Sequence, residues 1–263
     1  MNNLLKKSYL GIIIALLYLP ILIVVVFSFN NARYSLLWRG FSTRWYHILW
    51  HDATIWLVTW HSILIGIIAA TTASLLGTLA AVCLIRYRFF GRAILHGTIF
   101  ILIIVPNIVL GISLLLLYNI SKIPLGFWSL LLAHITFCIP FVTILVYSRM
   151  KFLDKNIFEA AQDLGASEYI IFKRIIVPLM WPAIIAGWLL NFAMSIDDVT
   201  VSYFVSGPTY NILPLQIYSM VRMGVSPEIT ALSSILFGAT LVIVVAAYFA
   251  LNKISHVGYQ KTK

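Results

Sequence analysis

Apolar residues run through this 263-residue chain in long blocks, and the polar positions fall in short gaps between them. A helix rises about 1.5 Å per residue, so roughly 20 consecutive apolar residues cross the ~30 Å hydrocarbon core of a bilayer. Six windows reach that length: 9–29, 63–85, 93–118, 127–148, 175–204 and 229–252. Five of the six hold no Asp, Glu, Lys or Arg, while 175–204 carries the pair Asp197 and Asp198. The pattern predicts an all-α integral membrane protein, six transmembrane helices in a single domain over residues 1–263, because helices satisfy their own backbone polar groups in lipid.

Composition agrees: 62% of residues are hydrophobic and 10% charged, against roughly 25% charged in a soluble domain. The first window is too long for the ~7–15-residue core of a cleavable signal and ends in Phe27-Ser28-Phe29-Asn30, so it reads as a retained anchor. The net charge of +10 comes from cations in short loops rather than on one basic face, which argues for topology and against a nucleic-acid partner. With both termini inside, 13 of the 18 cations face inward, among them Lys6, Lys7, Arg86, Arg88, Arg92, Arg149, Lys151, Lys155, Lys173 and Arg174. Arg33, Arg39, Arg44, Lys122 and Arg222 remain outside. The positive-inside rule thus puts both termini and the loop at 149–178 in the cytoplasm.

Other features carry less chemistry. Cys83 and Cys138 lie in apolar windows and read as buried thiols. Pro20, Pro106, Pro140 and Pro182 predict kinks. His61, His96 and His134 lack metal-ligand spacing and suit hydrogen bonds between helices. The tryptophans of 30–61 suggest an outer interfacial belt. No Walker-type phosphate loop occurs, so any ATPase is another subunit, and ATP and magnesium would be bound there. No metal site or catalytic group is expected.

The polar loop is the exception. Asn156 is placed to cap a short helix with Glu159 three positions on. Ile157, Ala161 and Leu164 fall on one face, Gly165 suits a left-handed helix end, and Ser167 is placed to start a second helix that Pro178 stops. The string Glu159-Ala160-Ala161, Gly165, Ile175 and Pro178 resembles the EAA loop of the membrane subunits of bacterial ABC importers. That resemblance implies a type I permease fold in which Glu159, Ala160, Ala161, Gly165 and Pro178 form a cytoplasmic coupling element seated on an ATPase. The usual Ile-x-Leu-Pro ending is here Ile175-Ile176-Val177-Pro178, with the spacing kept.

Acids inside a membrane normally face a pore, a partner or water. Asp197 and Asp198 diverge by about 100° on a helix, so one is read as facing a pathway and the other as capping or pairing with a neighbour. The alternative ends the span near Ile196 and leaves both acids at the outer interface. With Tyr203, Tyr210 and Tyr218 following, a negative site would suit an organic cation. The runs 195–199, 204–208, 212–221 and 224–228 are similar to the permeases of spermidine/putrescine importers, as are Arg86-Tyr87-Arg88-Phe89 and Gly126-Phe127-Trp128-Ser129-Leu130-Leu131. This likeness covers essentially the whole chain. It implies polyamine transport across a bacterial inner membrane with a sister permease, a pair of ATPase subunits and a periplasmic polyamine-binding protein. The same machine carrying another solute, and an ion-coupled carrier without an ATPase, are the competing readings.

Overall fold

A computed structural model describes residues 3–32, 37–154, 156–224 and 227–242. Its helices are α1 (Asn3–Phe27), α2 (Arg44–His51), α3 (Ala53–Arg86), α4 (Arg92–Ile104), α5 (Asn107–Ile120), α6 (Phe127–Lys151), α7 (Asn156–Asp163), α8 (Glu168–Ile171), α9 (Val177–Asp197), α10 (Thr200–Val205) and α11 (Leu213–Arg222). A further apolar helix, α12 (Pro227–Val242), closes the described chain; the remainder of the 229–252 window lies outside the described residues. Among those residues, four helices are long and apolar enough to cross a membrane, or five if the bent pair α4–α5 is one span.

The chain divides into two compact units, Met1–Ile55 with Ile217–Lys263, and Trp56–Gln216. In the first, the apolar side chains of α1 stay outside any protein core, as lipid-facing residues should. Its end is fixed by Asn30, whose carbonyl accepts from Trp45 Nε1 at 2.8 Å and whose Oδ1 accepts from the Arg39 amide at 2.9 Å. Phe29 stacks between Phe41 and Tyr46, each 5.1 Å away. Trp45 is therefore a core residue, whereas Trp38, Trp50, Trp56 and Trp60 are exposed and fit the expected interfacial belt.

The second unit is built around α6, with α9 as its main neighbour. Two small residues permit this. A Cβ on Gly187 would lie 2.8 Å from Val142 Cγ2, and one on Gly77 would lie 3.0 Å from the Ile139 carbonyl. Close backbone approach at glycine is how helices gain dispersion energy where lipid removes the hydrophobic drive. The core has two parts. One joins Leu110, Leu114, Leu130, Phe137 and Val201; the other joins Val142, Val146, Ile171, Ile176 and Met180.

Two windows read from the sequence as unbroken spans are broken. The first is 93–118, where α4 and α5 meet at a bend of 118°. Pro106 has no amide hydrogen and forces Val105 into an extended conformation, ψ 129°, which ends α4. The α4 half lies beside the C-terminal part of α6, near Thr143 and Tyr147, and the α5 half turns away to pack on α10, joining Leu130 and Phe137 of α6. The second is 175–204: α9 ends at Asp197, Asp198 is extended at ψ 115°, and α10 begins at Thr200.

The expected stop at Pro178 is absent. Helix runs without interruption over Glu168–Asp197, 30 residues, or roughly 45 Å at about 1.5 Å per residue. A π-helical turn, Phe172–Ile176, absorbs the proline: the Val177 amide reaches back to the Phe172 carbonyl, and Pro178 falls in the first turn of α9. The proline thus follows directly on the residue where the hydrogen-bond ladder shifts register, which is how the helix passes it unbroken. The extra length carries the polar start of this helix beyond what a ~30 Å hydrocarbon core requires.

If the α6–α9 contact depends on a missing side chain, Gly187→Val should overpack it by about 1–3 kcal/mol. Thermal unfolding of the purified complex in detergent should show a lowered Tm, while Gly97→Val, at a position with open space around it, should not. Equal Tm values for Gly187→Val and the parent would contradict the packing described.

Candidate functional site: a capped surface helix and a capped helix break

α7 ends in a Schellman arrangement. The Ala166 amide donates to the Ala161 carbonyl at 3.0 Å and the Gly165 amide to the Gln162 carbonyl at 2.8 Å, with Gly165 at φ +78°. The left-handed glycine expected from the sequence is thus present. The N-terminal cap differs: Asn156 is the first residue of α7, its amide donates to Asp154 Oδ1 at 3.0 Å, and its side chain donates to Asp154 Oδ2 at 3.4 Å. A carboxylate there also opposes the positive end of the helix dipole. Ser167 stands at the N-cap of α8, as its sequence position suggested.

The apolar stripe of α7 is divided. Phe158 and Ala161 pack on the α6–α9 cluster, while Ile157 and Leu164 are exposed, Leu164 at 88%. Arg86 explains the choice, because its guanidinium lies 4.9 Å from the centre of the Phe158 ring and draws that side chain inward. Glu159 and Ala160 are exposed beside Ile157 and Leu164, and Ala161 is half-buried.

A single carboxylate ties this helix to the bundle. Glu168 Oε1 and Oε2 accept from Arg86 Nη2 at 2.8 and 2.9 Å. Oε2 also accepts from the Tyr87 hydroxyl at 2.8 Å, and Oε1 from Gln162 Nε2 at 2.8 Å. The last turn of α7, the start of α8 and the end of α3 therefore meet at one residue. Donating to Glu168, and secondarily its own burial, raises the pKa of the Tyr87 phenol above its ordinary value, because ionisation would lose that bond. Arg149 Nε adds a tie from α6 to the Leu179 carbonyl at 3.0 Å. Sequence reasoning missed Glu168; its only local signal was an acid directly after a capping serine.

The two acids at the end of α9 have different surroundings. Asp198 is buried, and its carboxylate accepts from the Val201 amide at 3.2 Å, the Ser202 amide at 2.8 Å and the Ser202 hydroxyl at 2.8 Å. It stands one residue before the N-cap position, Val199, and its side chain takes the amides of the first turn of α10. His134, fully buried on α6, bridges the break, with Nδ1 at 2.7 Å from Ser195 Oγ on α9 and Nε2 at 2.9 Å from Ser202 Oγ on α10. Its Nε2 is 3.9 Å from Asp198 Oδ2, beyond hydrogen-bond range. Asp197 is exposed. Tyr203, on the exposed side of α10, meets Phe204 edge-on at 5.6 Å. Tyr218 belongs to the other unit, where the Arg222 guanidinium lies 4.8 Å from its ring centre. Tyr210 stacks on His61 at 4.0 Å.

Among the described helices, α7 is thus a polar, exposed helix tied to a hydrophobic bundle. Residues 73–257 match the family described as "Binding-protein-dependent transport system inner membrane component", and the chain belongs to it. It is 50% identical to the spermidine/putrescine transport system permease protein PotC of Escherichia coli strain K12, over 94% of this chain and 93% of the relative. The corresponding PotC of Haemophilus influenzae is 47% identical, over 96% of this chain and 98% of its own length. The putrescine transport system permease protein PotI of E. coli K12 is 40% identical, over 96% and 95%. In fold, the chain matches a subunit of a bacterial ABC transporter that imports the acidic polysaccharide alginate, with TM-score 0.72, 18% identity and 95% of each chain covered. A methionine ABC transporter, MetNI, gives TM-score 0.60 at 15% identity over 77% of this chain and 96% of the neighbour.

The contrast between the two acids sets an expectation for stability. Asp198→Ala should lose about 1–2 kcal/mol with its cap, whereas Asp197→Ala, at an exposed position, should stay within about 0.5 kcal/mol of the parent. Thermal unfolding of the assembled complex distinguishes them, and equal losses would refute the assignment.

Proposed function

We propose that this chain forms half of the translocation pathway of an ATP-driven polyamine importer in a bacterial inner membrane. The observation that carries this reading is α7: an exposed Glu159-Ala160 surface with Ile157 and Leu164 beside it, closed by Gly165 and held by Glu168. A membrane bundle has no internal use for such a helix, but a partner with a groove does. The cargo assignment rests on the relatives, two of which are named for spermidine and putrescine transport at 50% and 47% identity.

In this reading six helices cross the membrane as one permease domain, both termini and α7 lie in the cytoplasm, and 13 of the 18 cations face inward. A sister permease completes the pathway. A pair of ATPase subunits receives the coupling helices and carries ATP and magnesium. A periplasmic polyamine-binding protein delivers cargo. Closure of the ATPase pair moves α7, and Glu168 passes that motion to the ends of α3 and α8. Glu159, Ala160, Ala161 and Gly165 form the contact, and Pro178 sets the π turn behind it. No group of this chain takes part in bond chemistry. Asp197 and Tyr203, exposed at the α9–α10 break, face the pathway; Asp198 holds the break in shape.

Reconstitution of the full complex in vesicles tests both parts. Gly165→Pro should abolish spermidine uptake while the ATPase subunits still hydrolyse ATP, and normal uptake would overturn the coupling role. Asp197→Asn should raise the KM for uptake by about tenfold, the loss of one charge-assisted contact of ~1.4 kcal/mol. An unchanged KM would remove Asp197 from the pathway.

A further inference from the structure

Between α4 and α6 the unit opens two clefts, of ≈ 700 Å³ and ≈ 240 Å³, that share His96 and Tyr147. Their linings contain two cations, Arg92 and Lys151, and no Asp or Glu. The first has Arg92 at its wall and Gly97, whose surroundings are open, at its side. The second is walled by Ile99, Phe100 and Ile144. Each cleft thus has one cation on its wall, Arg92 in the larger and Lys151 in the smaller, with hydrocarbon beside it; both cations also border a neighbouring cleft that Glu159 and Glu168 line from the other side.

We propose that this α4–α6 groove binds an anionic phospholipid. Arg92 and Lys151 would engage the phosphate, and one acyl chain would lie against Ile99, Phe100 and Ile144. Arg92 is preorganised for that role, since its Nε donates to the Leu84 carbonyl at 3.1 Å and leaves the terminal amino groups of the fork to a ligand. The surroundings choose lipid over a water-borne anion. Phe90 is fully exposed beside the groove, and Ile94, Ile101 and Ile104 are exposed along α4. Such a row is stable only against hydrocarbon. Basic pockets between membrane helices at the headgroup level recognise anionic lipids, and a polyamine would be repelled by the same cations. The inference needs only that the chain spans a membrane and is independent of the cargo and of the role of α7.

The assembled importer in vesicles containing photoactivatable phosphatidylglycerol or photoactivatable phosphatidylcholine provides the test. Phosphatidylglycerol should label peptides from residues 90–104 and 143–151, and the Arg92→Gln, Lys151→Gln double variant should lower that labelling by about tenfold. Phosphatidylcholine labelling should be weaker and unaffected. Gly97→Trp, which fills the groove without altering charge, should lower labelling in the same way and guards against a double variant that fails to assemble. Equal labelling by both lipids, labelling that survives both variants, or cross-linking of Gly97→Cys to the sister subunit instead of lipid would overturn the proposal.

Discussion

A helix that begins afresh in the interior of a protein must find partners for its first amides, and at the start of α10 this chain finds them in one carboxylate. Asp198 takes the Val201 and Ser202 amides and the Ser202 hydroxyl, so α10 can start where α9 ends. A buried amide without a partner costs a few kcal/mol, and this arrangement satisfies two. His134 then joins Ser195 to Ser202 across the break and fixes it to α6. Remove that polar cluster and the region that carries Asp197 and Tyr203 loses its shape.

The same constraint is met differently elsewhere. Pro106 ends α4, and the Pro106 carbonyl is reused at once by the Val109 and Leu110 amides of α5. Pro178 instead stays inside a continuous helix because the π turn shifts the hydrogen bonding by one residue. That choice has a mechanical consequence. Had the helix stopped at Pro178, α8 would be a loose appendage; joined to α9, the start of α8 moves as one body with a helix long enough to cross the bilayer. Glu168 sits at its tip and holds Gln162 of α7 on one side and Arg86 and Tyr87 of α3 on the other.

Much of this was legible in the residues. Long apolar windows gave all-helical membrane architecture, and Glu159-Ala160-Ala161 with Gly165 gave the surface helix and its left-handed end. What hydropathy could not give was the break in 93–118, which stays apolar across Val105, since an average over 20 residues does not register a single dihedral; in 175–204 the alternative reading, a span ending near Ile196, matches the end of α9 at Asp197. Asn156 is not the cap because α7 already begins at it, and Asp154, two residues earlier, accepts its amide with a full charge. Pro178 misled because the π turn directly before it shifts the hydrogen-bond ladder by one residue and carries the helix past the proline. Of the acids, spacing showed that the pair would diverge but not which one turns inward, because that depends on Ser202 and His134, distant in sequence. Glu168 was passed over because its partners Arg86 and Tyr87 lie about 80 residues away.

The central claim is that α7 is gripped by a partner from outside the bundle. Site-directed cross-linking tests it most directly: Ala160→Cys, in the assembled complex, carrying a short photoreactive probe. The account requires a cross-link from residue 160 to the ATPase subunit, diminished when ATP release opens that subunit pair. A probe at residue 160 that reacts only with lipid, water or this chain itself would contradict it.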